Sequence, residues 1–301
     1  MQQYVGRFAP SPTGPLHFGS LLTAVASYLD AKSNDGLWLV RIEDLDPPRE
    51  IPGATANILS TLESYHLHWD QDVVYQSQRH KHYDAAIQQL LSRGKAFYCT
   101  CTRKQLSQQS EQSGTAYPGN CRGCSQEPSA PHSIRLQVNA KPVTIQDDLQ
   151  GPYQQNIEQY VGDFIIRRKD KLYAYHIAVV VDDHEQKISH IVRGIDLLDN
   201  TPRQQYLQHQ LGFLAPQYCH LPIVVNSQGQ KLSKQTFATP VPSTQCNLYL
   251  WHALTALGLA PAPELKLETT ETQLAWGISV WNKDKLKGLK SIPSTSVAID
   301  V

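Results

Sequence analysis

Apolar residues come in short blocks along this chain, and the spacing within the blocks changes in a regular order. Residues 4–8 form a brief apolar run suited to a buried strand, and residues 9–15 a proline- and glycine-rich turn. Residues 21–31 carry apolar side chains at helical spacing. Residues 37–42 repeat the strand pattern and residues 54–65 the helical one. Strand, turn and helix in repetition predict βαβ units, whose crossovers hold successive strands parallel. Residues 78–95 read as a helix leading into a cysteine-rich segment, after which the helical signal fades. Strands are expected over 133–138, 142–145, 164–168, 172–174 and 188–192. A helix follows over 202–211, a strand over 222–225 and another helix over 247–257; the basic stretch 283–290 reads as a solvated helix face. The expected fold class is α/β: a Rossmann-like parallel-sheet domain over residues 1–240, an insertion over 99–124, and a short, mainly helical C-terminal appendage over 241–301.

Composition narrows the setting. Of 301 residues, 41% are apolar, enough for a sizeable core and too many for global disorder. No segment approaches the ~18 uninterrupted apolar residues that a membrane span needs, and the N-terminus has no basic stretch leading into an apolar run. A cytoplasmic location is expected, where thiols stay reduced. The 27 basic and 27 acidic residues cancel, which excludes a large non-specific nucleic-acid surface and allows a small RNA footprint. Of the six cysteines, Cys99, Cys101, Cys121 and Cys124 lie close together. In a reducing compartment such a cluster reads as metal ligands, and by chemistry alone four thiolates with a Cys-x-x-Cys pair suit structural zinc.

The string Arg7-Phe8-Ala9-Pro10-Ser11-Pro12-Thr13-Gly14-Pro15-Leu16-His17-Phe18-Gly19-Ser20 sits where the first strand hands over to its helix. Ligands bind in such crevices at the carboxyl ends of strands, and a helix N-terminus offers free N–H groups to phosphate. Gly14 and Gly19 allow close approach, and His17 can donate to a phosphate oxygen. Far downstream, Lys231-Leu232-Ser233-Lys234-Gln235 follows a glycine-containing turn. Two lysines on such a loop can neutralise charge developing on ATP as pyrophosphate leaves. Either fragment alone is an ordinary turn or loop; their joint occurrence in this order carries the argument.

The fourteen-residue string resembles the opening signature of the glutamyl branch of class I aminoacyl-tRNA synthetases, with His17 to Ser20 similar to that class's first ATP-binding motif and Lys231 to Lys234 similar to its second. The resemblance spans roughly residues 4 to 240. It implies ATP binding and adenylate formation through His17, Gly19, Lys231 and Lys234, with Mg²⁺ accompanying ATP. It implies glutamate binding through Arg7, Ser11, Glu43, Tyr175 and Arg193, a set in which arginines suit carboxylates and Glu43 suits the ammonium. Which arginine meets which carboxylate stays open.

Three departures point within the family. The chain closes soon after the lysine loop, with too little left for a helical anticodon-binding region; Leu22 stands where an arginine is usual, and Val179 where an asparagine is usual. All three are similar to a shorter paralogous family, the glutamyl-queuosine tRNA(Asp) synthetases, which implies transfer of glutamate to queuosine in the anticodon of tRNA(Asp). A base in a single-stranded loop is accessible to such an enzyme, and Arg167, Arg168 and Lys169 are candidates for phosphate contacts or for a solvated turn. The same resemblance implies zinc on Cys99, Cys101, Tyr117 and Cys121, with Cys124 the rival to Tyr117. A monomer is expected. The alternatives are a truncated glutamyl-tRNA synthetase charging the tRNA 3′ end and a non-catalytic zinc-bearing RNA-binding module.

Overall fold

The computed structural model describes residues 3–113, 116–226, 228 and 239–294. Strand β1 (Val5–Phe8) runs into helix α1 (Phe18–Lys32), which returns to β2 (Leu37–Ile42). β2 lies parallel to β1, with Arg7 opposite Leu39. Helix α2 (Ala54–Ser64) leads to the short β3 (Val74–Tyr75), parallel to β2. Every residue of β1 is buried, as befits a strand covered on both faces.

Helix α3 (His80–Ser92) and β4 (Ala96–Cys99) lead into the insertion, which carries α4 (Arg103–Ser113). β5 (Ser133–Leu136), β6 (Val143–Asp147), β7 (Gly151–Gln155), the single turn α5 (Ile157–Tyr160) and β8 (Phe164–Arg167) follow. β4, β5 and β8 make an antiparallel three-stranded sheet. Helix α6 (Tyr175–Glu185) then leads to β9 (His190–Gly194), α7 (Thr201–Leu211), β10 (Gln217–Leu221) and β11 (Ile223–Val225). β9 and β6 flank β10 in parallel, and β7 closes that sheet antiparallel to β6. The two halves of the core join at Ser189, whose N–H donates to the Val5 carbonyl at 2.9 Å and whose hydroxyl accepts from the Val5 N–H at 2.8 Å. The result is an α/β fold with a parallel sheet and its strand ends directed toward one cleft.

Helices α8 (Cys246–Ala256) and α9 (Thr270–Val280) pack on α1, and Leu250, Leu254 and Leu274 share one hydrophobic cluster with Leu21, Val25 and Leu29. Strand β12 (Ser291–Pro293) pairs parallel with β11. A second cluster joins α3, α6 and α7 to the antiparallel sheet through Ile87, Ile166, Ile177 and Leu207. Among the described residues, no helix is long and apolar enough to cross a membrane.

Two element expectations are corrected. Residues 172–174 form only an isolated bridge, Tyr173 with Arg167, because the chain enters α6 at Tyr175 before a strand can extend. Residues 283–290 make one 3₁₀ turn, Lys283–Leu286, and not a solvated helix. Lys283 is partly buried there, its ammonium 2.6 Å from Asp148. Helix α6 itself escapes a periodicity reading, since Ile177, Ala178, Val179, Val180 and Val181 are all buried and show no polar face.

Candidate active site

The loop after β1 is fastened to the loop after β2. The Glu43 N–H donates to the Pro10 carbonyl at 3.0 Å, and the Ile51 N–H to the Pro12 carbonyl at 3.0 Å. Gly14 has φ 134°, a conformation that a side chain would strain. His17 then caps α1, its Nδ1 accepting the Ser20 N–H at 3.3 Å, and its ring stands at the helix N-terminus. Together with the end of β9, Pro222 and the start of β11, these segments enclose a cleft of about 280 Å³.

Arg7, Ser11, His17, Gly19, Glu43, Tyr175 and Arg193 all line that cleft. Arg7 leaves β1, Glu43 follows β2, Tyr175 opens α6 and Arg193 lies in β9, so four elements contribute one polar group each. Lys231 and Lys234 lie outside the described residues. Leu22 also lines the cleft, whereas Val179 is buried inside α6, one turn beyond Tyr175.

Beneath Arg7 and Glu43 lies a buried ionic layer. Asp183 Oδ1 accepts from Arg41 Nη1 at 2.8 Å and from Arg7 Nε at 3.3 Å. Arg41 also donates to Gln186 at 2.8 Å and to Glu43 at 3.4 Å. Neighbouring Asp182 accepts from Arg79 at 2.6 Å, Gln76 at 2.8 Å and Tyr83 at 2.9 Å. Burial raises the Glu43 carboxyl above the ordinary carboxylate range, even though Arg41 and Arg7 act to lower it. Burial pushes Asp183 up too, but there the two arginines prevail and hold it below that range.

Arg193 has its own support. Its Nε donates to His220 Nε2 at 3.0 Å, and its Nη2 to Thr201 Oγ1 and Gln204 Oε1, both at 2.8 Å. The register of β9 and β10 sets His220 directly beside Arg193. His220 Nδ1 lies 2.6 Å from Asp147 Oδ2, at the end of β6. Burial lowers the His220 pKa despite the Asp147 carboxylate, so the ring is neutral at pH 7. Arg41, Asp182, Asp183, Asp147, His220, Thr201 and Gln204 were not singled out by sequence. The only signal was indirect: a site with several cations needs buried acceptors behind them.

Some 18 residues apart in sequence, Cys99 and Tyr117 meet in the insertion. Cys99, Cys101 and Cys121 place their sulfurs within 4.8 Å of one another. The Tyr117 hydroxyl lies 3.4 Å from Cys99 Sγ and 3.9 Å from Cys101 Sγ. Cys124 is exposed and stands outside the cluster. Sulfurs bound to one tetrahedral zinc lie about 3.8 Å apart for Zn–S bonds of about 2.3 Å, so this donor set fits a metal ion. Burial pushes the Cys99 thiol up, but hydrogen bonds from Tyr117 and Arg135 outweigh it and bring it down to about 7. Cys101 is pushed up by burial to about 11. The Arg135 guanidinium sits 3.9 Å from the Tyr117 ring centre and donates to Cys99 Sγ at 3.4 Å, which offsets thiolate charge.

Arg167, Arg168 and Lys169 each have protein partners. Arg167 lies 3.3 Å from Asp84, Arg168 2.6 Å from Asp170, and Lys169 donates to the Thr100 carbonyl at 2.7 Å.

Residues 3–249 match the family model of the class I tRNA synthetases (E and Q), catalytic domain. A Pseudomonas putida protein named glutamyl-Q tRNA(Asp) synthetase is 48% identical over 296 residues, covering 98% of this chain and 96% of its own length. A Pseudomonas aeruginosa protein of the same name is 49% identical over 292 residues, covering 96% and 97%. Among solved structures, the glutamate-tRNA synthetase of Elizabethkingia anophelis superposes with a TM-score of 0.81 at 25% identity, over 98% of this chain and 69% of that one. The fold, the cleft and these relatives agree: the chain belongs to the class I tRNA synthetases of the glutamyl and glutaminyl branch, in the family of the glutamyl-Q tRNA(Asp) synthetases.

Proposed function

We propose that this enzyme uses ATP to activate glutamate as glutamyl-adenylate and transfers the glutamyl group to a hydroxyl of queuosine in the anticodon of tRNA(Asp), forming an ester and releasing AMP. The observation that carries this reading is the convergence of Arg7, Ser11, Glu43, Tyr175 and Arg193 with His17 and Gly19 in one cleft at the strand ends. A dicarboxylic amino acid brings two negative groups and one positive group, and among the residues lining the cleft Arg7 and Arg193 suit the former and Glu43 the latter. The α1 N-terminus with His17 supplies donors for ATP phosphates, and Gly19 leaves room for the nucleotide. The glutamate carboxylate attacks the α-phosphorus, the bond to the β-phosphate breaks, and pyrophosphate leaves. Lys231 and Lys234 stabilise the charge that develops on it, with Mg²⁺ accompanying the nucleotide. Positioning and charge stabilisation supply the rate.

Support for the queuosine acceptor comes from the relatives' names and from the hydrocarbon side chains of Leu22 and Val179. We read residues 1–240 as the catalytic unit and 241–301 as a short C-terminal appendage, acting as a monomer in the cytoplasm. Zinc on Cys99, Cys101, Tyr117 and Cys121 would staple the insertion and take no part in the chemistry.

The test is transfer of radiolabelled glutamate to tRNA(Asp) with and without queuosine, in the presence of ATP. Label confined to the queuosine-containing tRNA and surviving periodate treatment of the 3′ end is the expected result. Equal label on both tRNAs, lost after periodate, would replace queuosine by the 3′ end as acceptor.

A further inference from the structure

Arg193 is held at two of its three nitrogens by a chain of buried groups that crosses three adjacent strands. The direction of each hydrogen bond in that chain can be worked out. Asp147 Oδ1 accepts the N–H groups of Leu149 at 3.1 Å and Gln150 at 2.8 Å, and the His220 N–H reaches Oδ2 at 3.1 Å. A carboxylate can only accept, so His220 meets it at 2.6 Å by donating from Nδ1. Nε2 is then the acceptor of the neutral ring, where the Arg193 Nε–H arrives at 3.0 Å. A guanidinium only donates, so Thr201 Oγ1 accepts from Arg193 Nη2 while its own hydrogen faces the Leu197 carbonyl at 3.3 Å and His220 Nε2 at 3.2 Å, and the other Nη2 hydrogen goes to Gln204. Nη1 is buried and has no partner among the described residues.

We propose that Asp147 and His220 are positioning residues of the amino-acid subsite, holding Arg193 so that it meets the substrate carboxylate through Nη1 alone. The inference rests on the reading of Arg193 as a glutamate-binding group. Arg7 differs, because only its Nε has a described protein partner, Asp183, and its far edge is left for the ligand. The two arginines are thus not equivalent: Arg7 can offer a two-nitrogen fork, whereas Arg193 is a fixed single prong whose direction Asp147 sets through the histidine ring. A long side chain locked before binding loses little freedom when the ligand arrives.

The experiment is glutamate-dependent ATP–pyrophosphate exchange, measured first on the unaltered chain. Absence of exchange there removes the proposed activation and the positioning chain with it. With exchange present, Asp147→Asn is compared. Its amide oxygen stays on the backbone N–H groups, so its NH₂ faces His220 Nδ1, reverses the tautomer and sets an Nε2–H against the Arg193 Nε–H. The glutamate KM is expected to rise about 100-fold, the loss associated with misplacing a binding group by about 1 Å, while the ATP KM stays near that of the parent. His220→Gln, which brings an amide oxygen toward the former Nε2 position, is expected to restore most of the glutamate KM in the Asp147→Asn background. An unchanged glutamate KM, or equal losses in both KM values and in stability, overturns the positioning role and leaves the cleft's function standing. If Asp147→Asn does not fold, the comparison is His220→Gln against His220→Phe: a raised glutamate KM only in the phenylalanine variant supports the role, and equal values overturn it.

Discussion

The Arg41 guanidinium lies 2.8 Å from the Asp183 carboxylate, and both side chains are almost wholly removed from solvent. Asp183 also meets Arg7, so Arg41 balances the layer on which Arg7 and Glu43 stand. Removing one partner of a buried pair leaves an uncompensated charge. Arg41→Met is expected to destabilise the protein by about 3–5 kcal/mol, read as a lowered denaturation midpoint in urea. A change under about 1 kcal/mol would mean that the layer contributes little to stability.

Glu43 gives the cleft a pH dependence. Its pKa is raised by burial, so as pH falls it takes up a proton earlier than an exposed glutamate. A neutral Glu43 cannot hold an ammonium group. The glutamate KM is therefore expected to rise as pH falls through that raised value, and to be high and flat in Glu43→Gln. Persistence of the acid limb in the variant would assign it to another group.

His176 is expected to add to the loss of stability in acid. Burial, aided by Arg203 and Arg193, lowers its pKa to about 3, and its Nδ1 has no partner among the described residues. An unfolded histidine takes up its proton near pH ~6.5. Between that value and about 3 the unfolded state binds more protons, so stability falls as pH drops through this window. His176→Phe is expected to flatten the fall, measured as melting temperature against pH. An unaltered slope would show that the ring is protonated in the folded protein.

The sulfur cluster makes a metal prediction. Purified protein is expected to carry about one zinc per chain, lost in Cys101→Ser and retained in Cys124→Ser. Chelation is expected to lower the melting temperature, because a site preformed only in the folded state stabilises that state. Loss of metal in Cys124→Ser would instead restore Cys124 to the ligand set.

Legibility in sequence followed the range of the interactions. β2 was read at its observed bounds, Leu37–Ile42, because a buried strand between turn residues is a local pattern. The motif string from Arg7 to Ser20 was likewise local, with its turn chemistry and helix cap written in consecutive residues. Tyr117 against Cys124 could not be decided from spacing, since both are near enough in sequence to reach the same sulfurs. In the structure the Tyr117 hydroxyl lies beside the sulfurs and accepts the Cys121 N–H at 3.0 Å, while Cys124 faces solvent.

What the sequence determined by itself was therefore the α/β class, the turn after the first strand and the types of the polar residues that line the cleft, each written in short local segments. What only the tertiary structure decided was their support: that Asp183 underlies Arg7, and that Asp147 reaches Arg193 through His220. Those partners are brought together by strand register and helix packing across 176, 73 and 27 residues of chain. Hydrogen bonds and buried charges act over a few ångströms in space, and no local pattern records which distant residue will close that gap.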